Sequence, residues 1–325
     1  MSSGYSIRKI SYHLPDKIER NDKLKKLHPE WDIDNVEGKI GIFQRYISDV
    51  NETSLDLGFS ASNKLFIEYQ IFPKDIDSLI FVSQSPDYLL PPSSCLLQEK
   101  LSLRKDILAL DINLGCSGFV NTLAVATSLI KSNTVKNCLI ICGETYTKYI
   151  DENDRTNKLI FSDGGAACLV EKDYKNNSFI GNFNFGCDGK GAKELIIKGS
   201  GARNRINFAN QKLFMNGPAI LLFTLSQVPP LLSKTLKDND LKIDDIDLFV
   251  FHQASKLVLD LLSKKLGIDR SKMYTNLENK GNTVSCSIPI ALKDASKENK
   301  LNYDNLVLII GFGVGYSLGS TVIKW

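Results

Sequence analysis

The two halves of this 325-residue sequence resemble each other, and this likeness limits the folds that the chain can adopt. The stretch "DIDSLIFVSQS", which begins at Asp75, aligns without gaps on "DIDLFVFHQAS", which begins 170 residues later at Asp245. "NCLIICG" from Asn137 matches "NLVLIIG", which begins 168 residues later at Asn305. Two matches in the same order and at similar spacing indicate an internal duplication, with chance likeness between apolar strands as the alternative. We predict halves of 1–175 and 176–325.

Strand-like and helix-like segments alternate in the first half. The apolar strand-like runs "DSLIFVSQS", "ILALDINL" and "NCLIICGET" are separated by "SSCLLQEKLSL" and "GFVNTLAVATSLIKS", which have helical periodicity. This order predicts an α/β fold, and the unbroken Val, Ile and Leu runs predict strands that are covered on both faces. Equivalent loops of the two halves should converge on a pseudo-twofold axis, so a site there would draw residues from both halves.

Composition excludes several classes of function. The chain is 43% hydrophobic and 24% charged, as in globular proteins, and its net charge of +3 does not favour nucleic-acid binding. An unbroken apolar run of about 18–20 residues and the apolar core of a signal peptide are both absent, so we expect no membrane association and a cytoplasmic location. Seven cysteines without a CxxC pair and only three histidines do not indicate a disulfide framework or a metal site.

A single cysteine stands between a predicted strand and a predicted helix, in "LGCSGF" (114–119). Unpaired backbone N–H groups at a helix start favour negative charge nearby. We therefore expect the thiol pKa of Cys116 to be lowered, which would make Cys116 a nucleophile. Gly115 and Gly118 would let other backbone approach closely. A buried structural thiol is the alternative, because the Gly-Cys-x-Gly spacing alone is not specific.

Two polar residues of the second half occupy comparable positions. His252 ends the run "DLFVFH", so it should emerge at the carboxyl end of a strand, where α/β sheets bind ligands. Asn282, in "KGNTVSCS", takes the place in the second half that Cys116 takes in the first. A satisfied core histidine and a turn or helix-cap asparagine are the alternatives. The duplication predicts that thiol, imidazole and amide converge.

A glycine-rich stretch, "GFGVGYSLGS" (311–320), follows the last apolar run. It lacks the Lys-Ser/Thr pair of a phosphate-binding loop. In a catalytic site such a loop could donate a backbone N–H to a developing oxyanion, whereas a tight backbone crossing is the alternative.

Together, "DINLGCSGF", "FHQAS", "GNTVSCSIPIAL" and "GFGVGYSLGS" resemble the β-ketoacyl-acyl-carrier-protein synthase III family of the thiolase superfamily, in order and over essentially the whole chain. The resemblance implies the thiolase fold, with two duplicated α/β halves in a five-layered αβαβα arrangement, usually paired as a homodimer. It implies acyl transfer from a thioester to a cysteine, then decarboxylative Claisen condensation with a malonyl-type thioester. Coenzyme A or acyl-carrier-protein thioesters would be substrates, and no metal, flavin or nicotinamide cofactor is implied.

The resemblance also implies roles for the candidate catalytic residues. Cys116 would be the nucleophile, and His252 with Asn282 would bind the thioester carbonyl of the extender during decarboxylation. The backbone N–H of Cys116 would form an oxyanion hole with one N–H from the turn that consists of Gly313, Val314 and Gly315.

For substrate binding, the resemblance implies Arg155 and Trp31 beside the adenine of coenzyme A and Gly217 along the pantetheine arm. An ordinary solvated arginine is the alternative for Arg155. Leu90 falls where the family places a gate residue of the acyl pocket. For docking of the carrier protein the nearest basic residues are Lys256, Lys264 and Lys265.

Some positions depart from the family's pattern and predict a specialised member. Ser255 stands where the family has asparagine after the histidine, which should weaken the contact that orients His252, and Val314 stands where glycine is common. One alternative on the same scaffold is an acyltransferase that passes the acyl group of Cys116 to an amine or hydroxyl without decarboxylation. Another is a non-catalytic acyl-thioester binding protein. Asn282 favours condensation, because simple transfer has no enolate to stabilise.

Overall fold

The computed structural model describes residues 4–174, 178–203 and 212–325. The elements of the first half are β1 (Gly4–His13), β2 (Lys17–Arg20), α1 (Asn21–Leu27), α2 (Ile33–Ile40), β3 (Gln44–Ile47), α3 (Ser54–Tyr69), β4 (Ser78–Val82), α4 (Ser93–Lys100), β5 (Leu108–Ile112), α5 (Gly118–Lys131), β6 (Asn137–Glu144), α6 (Arg155–Lys158) and β7 (Gly164–Asp173). Those of the second half are β8 (Phe179–Ile180), β9 (Asn184–Cys187), β10 (Leu195–Ile197), β11 (Leu213–Met215), α7 (Gly217–Asp238), β12 (Leu248–Phe251), α8 (Lys256–Leu266), α9 (Ser287–Lys297), β13 (Leu306–Gly313) and β14 (Ser317–Lys324). The predicted boundary at 175/176 lies outside the described residues.

Each half is built on one main sheet. The first sheet has the order β1-β7-β6-β4-β5, in which β4 is parallel to β5 and β6, and β7 is antiparallel to β6 and β1. In the second sheet β12 is parallel to β13, β14 is antiparallel to β13, and both β8 and β9 pair with β14. All residues of β4 and β12 are buried, as expected for apolar strands that are covered on both faces.

Helices and sheets stack in five layers. Apolar residues of α3 and α4 pack on the outer face of the first sheet. Helices α5 and α9 are buried between the two sheets, and α7 and α8 cover the outer face of the second sheet. This is the predicted αβαβα arrangement, and the fold class is confirmed.

The two main sheets are alike, as the duplication predicts, except at one edge. Strands β4 and β6 of the first half correspond to β12 and β13 of the second. Strand β5 is a full edge strand in the first sheet, whereas the second sheet has, among the described residues, a single bridge between Phe249 and Met273 on the corresponding side of β12. On this side the first sheet therefore ends in the partly exposed strand β5, whereas the second ends in the buried strand β12.

The glycine-rich stretch differs from the predicted loop. Strand β13 continues to Gly313 and β14 begins at Ser317, so only residues 314–316 form a turn between two antiparallel strands. Small residues suit this hairpin because other backbone crosses it closely. A Cβ added at Gly311 would lie 2.6 Å from Cα of Ser117.

Helix α7 is, within the described residues, the one helix that could cross a membrane by length and composition alone. Its apolar face, including Phe223, Val228 and Leu232, packs in the core against the second sheet. We therefore interpret α7 as a core helix.

Candidate active site

Cys116 lies in the turn between β5 and α5, where the C-terminal hairpin covers it. Its side chain is 6% exposed. A Cβ added at Gly313 would lie 3.0 Å from Sγ of Cys116, so the end of β13 passes directly over the thiol. A Cβ added at Gly115 would lie 2.3 Å from Oε1 of Gln84. At Gly115 a side chain therefore approaches closely, rather than the predicted backbone, and the backbone that crosses the thiol is that of Gly313.

The pKa of this thiol is raised. Burial is the largest cause and the carboxyl of Glu144 adds to it, so that the pKa of Cys116 lies at about 12. Hydrogen bonds from the backbone of Cys116 and of Val314 oppose this increase. The expectation of a lowered thiol pKa is wrong, because desolvation outweighs the helix start. The same backbone groups are those predicted for the oxyanion hole.

His252 directly follows β12, as predicted, and is buried. Its backbone N–H donates to the carbonyl of Ile310, and its Nδ1 lies 2.7 Å from Oγ of Ser287 at the start of α9. Burial lowers the pKa of His252 to about 3, so the imidazole is neutral at physiological pH. Ser255 accepts a hydrogen bond from the backbone of Val258 as the N-cap of α8. The contact that orients His252 therefore comes from Ser287.

Asn282 is held by backbone of the first half. Its N–H donates to the carbonyl of Ile160, and its carbonyl accepts from the N–H of Ser162, each at 2.9 Å. Its side-chain Oδ1 accepts a hydrogen bond from the N–H of Val284, also at 2.9 Å. Because Oδ1 is engaged in this turn, the amide Nδ2 is the group that Asn282 can offer to a ligand.

One cavity of about 430 Å³ brings the three predicted catalytic residues together. Cys116, His252 and Asn282 all line it, and each is almost fully buried. Gly217, the first residue of α7, and Arg155 also line this cavity. Since Arg155 is exposed, the cavity extends from a buried inner end to the surface.

The cavity mouth differs from the prediction in two respects. Trp31 is buried, with its ring stacked on His28 at 3.9 Å, and its carbonyl accepts a hydrogen bond from Nη1 of Arg155. Its ring does not line the cavity, because it packs in a small core with Leu159. Lys39 does line the mouth, is exposed, and was not among the predicted residues. The sequence offered one indication of this role: Lys39 lies in α2, which begins two residues after Trp31.

Other predicted residues lie outside the cavity. Leu90 is 80% exposed and is not part of its lining. Lys256 is exposed at the start of α8, beside the cavity, and forms an ion pair with Asp260 at 2.6 Å. Lys264 and Lys265 are exposed in the last turn of α8. Among the described residues, no group of three or more His, Cys, Asp or Glu could hold a metal ion.

Glu144 is a buried acid that was not among the residues predicted from the sequence. Glu144 is the last residue of β6 and is fully buried, and desolvation raises its pKa to about 8. Its hydrogen-bond partners are the Ser285 and Ser85 hydroxyls and the N–H of Gln84. The available signal was an acidic residue at the end of the otherwise apolar run "NCLIICGE".

Comparison with known families gives two matches. Residues 110–189 match the family described as 3-oxoacyl-[acyl-carrier-protein (ACP)] synthase III, and residues 236–325 match its C-terminal region. The matched segments contain Cys116, His252 and Asn282.

Individual proteins agree with these matches. A protein of Natranaerobius thermophilus named beta-ketoacyl-[acyl-carrier-protein] synthase III is 34% identical over 324 residues, covering 96% of each chain. One of the same name from Clostridium acetobutylicum is 32% identical over 320 residues, again covering 96% of each chain. A crystal structure of a 3-oxoacyl-(acyl-carrier-protein) synthase III superimposes with a TM-score of 0.95 at 34% identity, over 99% of this chain and 100% of the other.

Proposed function

Because this chain belongs to the 3-oxoacyl-[acyl-carrier-protein] synthase III family and is a condensing enzyme of that type, we propose how its residues divide the reaction. One observation carries the proposal: Cys116, His252 and Asn282 line the same cavity although they come from different halves. In this division, Cys116 accepts an acyl group and the other two residues stabilise the decarboxylating extender.

In the first half-reaction, Sγ of Cys116 attacks the carbonyl carbon of an acyl thioester. A new C–S bond forms, the donor's C–S bond breaks, and the thiol proton leaves with the donor thiolate. One thioester replaces another, so the step costs little free energy. The backbone N–H groups of Cys116 and Val314, which hydrogen-bond to the thiol, are suited to stabilise the oxyanion of the intermediate.

In the second half-reaction, a malonyl-type thioester loses CO₂ and becomes an enolate. We propose that the Ser287 hydroxyl donates to Nδ1 of His252, so that the neutral ring carries its proton on Nε2. Nε2–H of His252 and Nδ2–H of Asn282 then donate to the enolate oxygen. The enolate carbon attacks the acyl carbonyl, a C–C bond forms, and Cys116 leaves as a thiolate.

The cations at the cavity mouth favour a substrate that carries phosphate groups at the end that stays outside the cavity. Lys39 and Arg155 line it, and cations of this kind bind phosphates. We propose that the arm of a coenzyme A or carrier-protein thioester enters past Gly217 and that Lys256 lies within reach of a docked carrier. The roles of Lys264 and Lys265, the stacking of adenine on Arg155, the absence of a cofactor and the cytoplasmic location stay predictions.

We further propose that two copies pair through β5. This edge strand is only partly buried, and Leu110 is exposed on it. Beside it lies an apolar groove of about 930 Å³, lined by Leu114, Val125 and Phe185 among others. Leu90 belongs to the same edge, because the helix that begins three residues later is bound to Asp111 of β5. The gate role predicted for Leu90 would then act across the dimer.

Intact-protein mass spectrometry tests the proposed reaction. The protein is incubated with a panel of acyl-coenzyme A donors, malonyl-coenzyme A is added, and CO₂ release is followed. We expect an acyl adduct that discharges with CO₂. An adduct that discharges only to an amine or alcohol without CO₂ would favour the alternative acyltransferase, and a wild-type protein that forms no adduct from coenzyme A or carrier-protein donors would contradict the proposal.

A further inference from the structure

Glu144 is a buried carboxyl group that the proposed reaction does not use, and it is not among the residues that line the cavity. Its Oε1 lies 2.7 Å from Oγ of Ser285, and its Oε2 lies 3.0 Å from Oγ of Ser85 and 3.2 Å from N of Gln84. Within the described residues it forms no ion pair. A buried carboxyl without a cation is costly unless its hydrogen bonds are satisfied, and serine hydroxyls can satisfy either protonation state.

These hydrogen bonds join the two halves of the molecule. Ser85 and Gln84 follow β4, and Glu144 ends β6, so all three belong to the first half. Ser285 belongs to the second half and lies three residues after Asn282. The bond between Glu144 and Ser285 therefore anchors the loop that carries Asn282 to the strand ends beside Cys116.

The anchored loop packs directly on the Cys116 turn. A Cβ added at Gly115 would lie 3.1 Å from Cγ1 of Val284, and one added at Gly118 would lie 3.7 Å from Cβ of Ser285. Val284 has a φ of 54°, a left-handed conformation that β-branched residues rarely adopt. Backbone of this kind persists only where its surroundings hold it. The N–H of Val284 is also the group that fixes Oδ1 of Asn282.

We propose that Glu144 is a positioning residue for the decarboxylation step: by binding Ser285 it holds the 282–286 loop so that the Asn282 amide faces the acyl group on Cys116. This inference rests on the proposed function and extends it to a residue that does not touch substrate. Its consequence is specific to one half-reaction. Loss of the anchor should slow discharge of the acyl-enzyme and leave formation of the acyl-enzyme nearly unchanged.

Two substitutions remove the anchor from opposite sides. Glu144→Leu removes the carboxyl at similar volume, and Ser285→Ala removes its partner in the loop. Glu144→Gln is the conservative variant, because its amide oxygen can still accept from Ser285, and a neutral amide resembles the carboxyl that burial keeps largely protonated at pH 7. Ser85→Ala is the matched control: it deletes another hydrogen bond to the same carboxyl but leaves the loop anchored.

The measurement separates the two half-reactions on the full-length protein. Acylation is followed by intact mass with an acyl-coenzyme A donor, and discharge is followed as CO₂ release per preformed acyl-enzyme after malonyl-coenzyme A is added. Normalising to the adduct counts folded molecules only, and thermal denaturation reports any loss of stability. If Glu144→Leu does not fold, Ser285→Ala alone provides the test.

We expect discharge to fall about tenfold or more in Glu144→Leu and Ser285→Ala, since misplacement of a catalytic group by about 1 Å can cost about 10²-fold. Acylation should stay within about threefold, Glu144→Gln should recover most of the discharge rate, and the two losses should not add in the double variant. Equal losses in both half-reactions, no loss in either, or an equal loss in Ser85→Ala would overturn the inference. A wild-type acyl-enzyme that does not discharge with CO₂ would instead contradict the proposed function itself, and the inference with it.

Discussion

The two halves of the molecule share one backbone plan and differ in the side chains placed at its equivalent positions. In each half, a central parallel strand, a turn before a buried helix and the end of a second strand meet at the site. The first-half and second-half residues at these positions are Val82 and His252, Cys116 and Asn282, and Glu144 and Phe312. The duplication therefore provides the same backbone arrangement twice, with different side chains at the equivalent positions.

This difference shows why neither half could act alone. The first half provides the nucleophile but has a buried valine where the second has an imidazole. The second half provides two hydrogen-bond donors but has Asn282 at the position that the thiol of Cys116 takes in the first half. Phe312 packs edge-on against His252, with ring centroids 5.5 Å apart, whereas Glu144 reaches across to the loop of Asn282. Both strand ends therefore support residues of the second half.

Removing the thiol of Cys116 should have the largest effect on activity. We expect Cys116→Ala to abolish the acyl adduct and to lower condensation by at least about 10³-fold, because Cys116 supplies the only thiol among the described residues that line the cavity. Intact-protein mass spectrometry and product formation measure both effects. Cys95→Ala and Cys187→Ala, which alter exposed cysteines, are the controls and should keep the adduct. An adduct that survives in Cys116→Ala would place the nucleophile elsewhere.

Val82 and His252 occupy equivalent positions in the two halves, but we expect the first to affect stability and the second to affect catalysis. We expect His252→Ala to lower condensation by roughly 10²–10³-fold, the usual cost of one lost oxyanion donor. Val82→Ala should instead lower the free energy of unfolding by about 2 kcal/mol, because it opens a cavity in the core, and should leave turnover within about threefold. Steady-state kinetics and urea denaturation of both variants separate the cases. Similar kinetic losses in the two variants would contradict this assignment.

The edges of the two sheets also differ, and this difference predicts the assembly. We expect Leu110→Glu, on the exposed strand β5, to convert a dimer into a monomer, because a charge on an edge strand opposes pairing. Ile67→Glu, at an exposed position on α3, is the control and should remain dimeric. Analytical ultracentrifugation at matched concentrations measures the difference. A monomeric wild type, or a dimeric Leu110→Glu, would count against pairing through β5.

The smallest expected effect concerns pH and stability. Burial lowers the pKa of His252 to about 3, below the value of about 6.5 for an exposed histidine. The unfolded chain therefore binds a proton between these values that the folded chain does not, so this contribution to stability is complete above pH 6.5 and is lost toward pH 3. The loss approaches about 1.4 kcal/mol per pH unit.

His252→Gln should therefore show a flatter decrease in stability from pH 6.5 to pH 5 than the wild type. Urea midpoints measured across this range provide the test. Parallel pH profiles for the two proteins would show that His252 is not a buried neutral imidazole.

Much of the fold was predictable because it depends on local pattern. The strand at 78–82 and the helix at 118–131 follow from apolar runs and helical periodicity, and the duplication pairs Cys116 with Asn282 from the sequence alone. Convergence of the three catalytic candidates followed from this pairing and from the resemblance to a known family.

Contacts between distant elements were not predictable. The direction of the pKa shift of Cys116 depends on how the end of β13 covers the thiol, which no local pattern reports. The partner of His252 proved to be Ser287, because the start of α9 lies beside the end of β12. Trp31 stacks on His28 for a similar reason: a short helical turn folds the two rings together.

If the two halves perform separable half-reactions, Cys116→Ala and Asn282→Ala should fail at different steps. Acyl adduct and CO₂ release from malonyl-coenzyme A are measured in parallel, with Asn279→Ala, an exposed asparagine nearby, as the control. We predict that Asn282→Ala forms the adduct but releases CO₂ roughly 10²–10³-fold more slowly, whereas Cys116→Ala forms no adduct and still decarboxylates the malonyl thioester faster than Asn282→Ala does. Loss of both activities in each variant would contradict it.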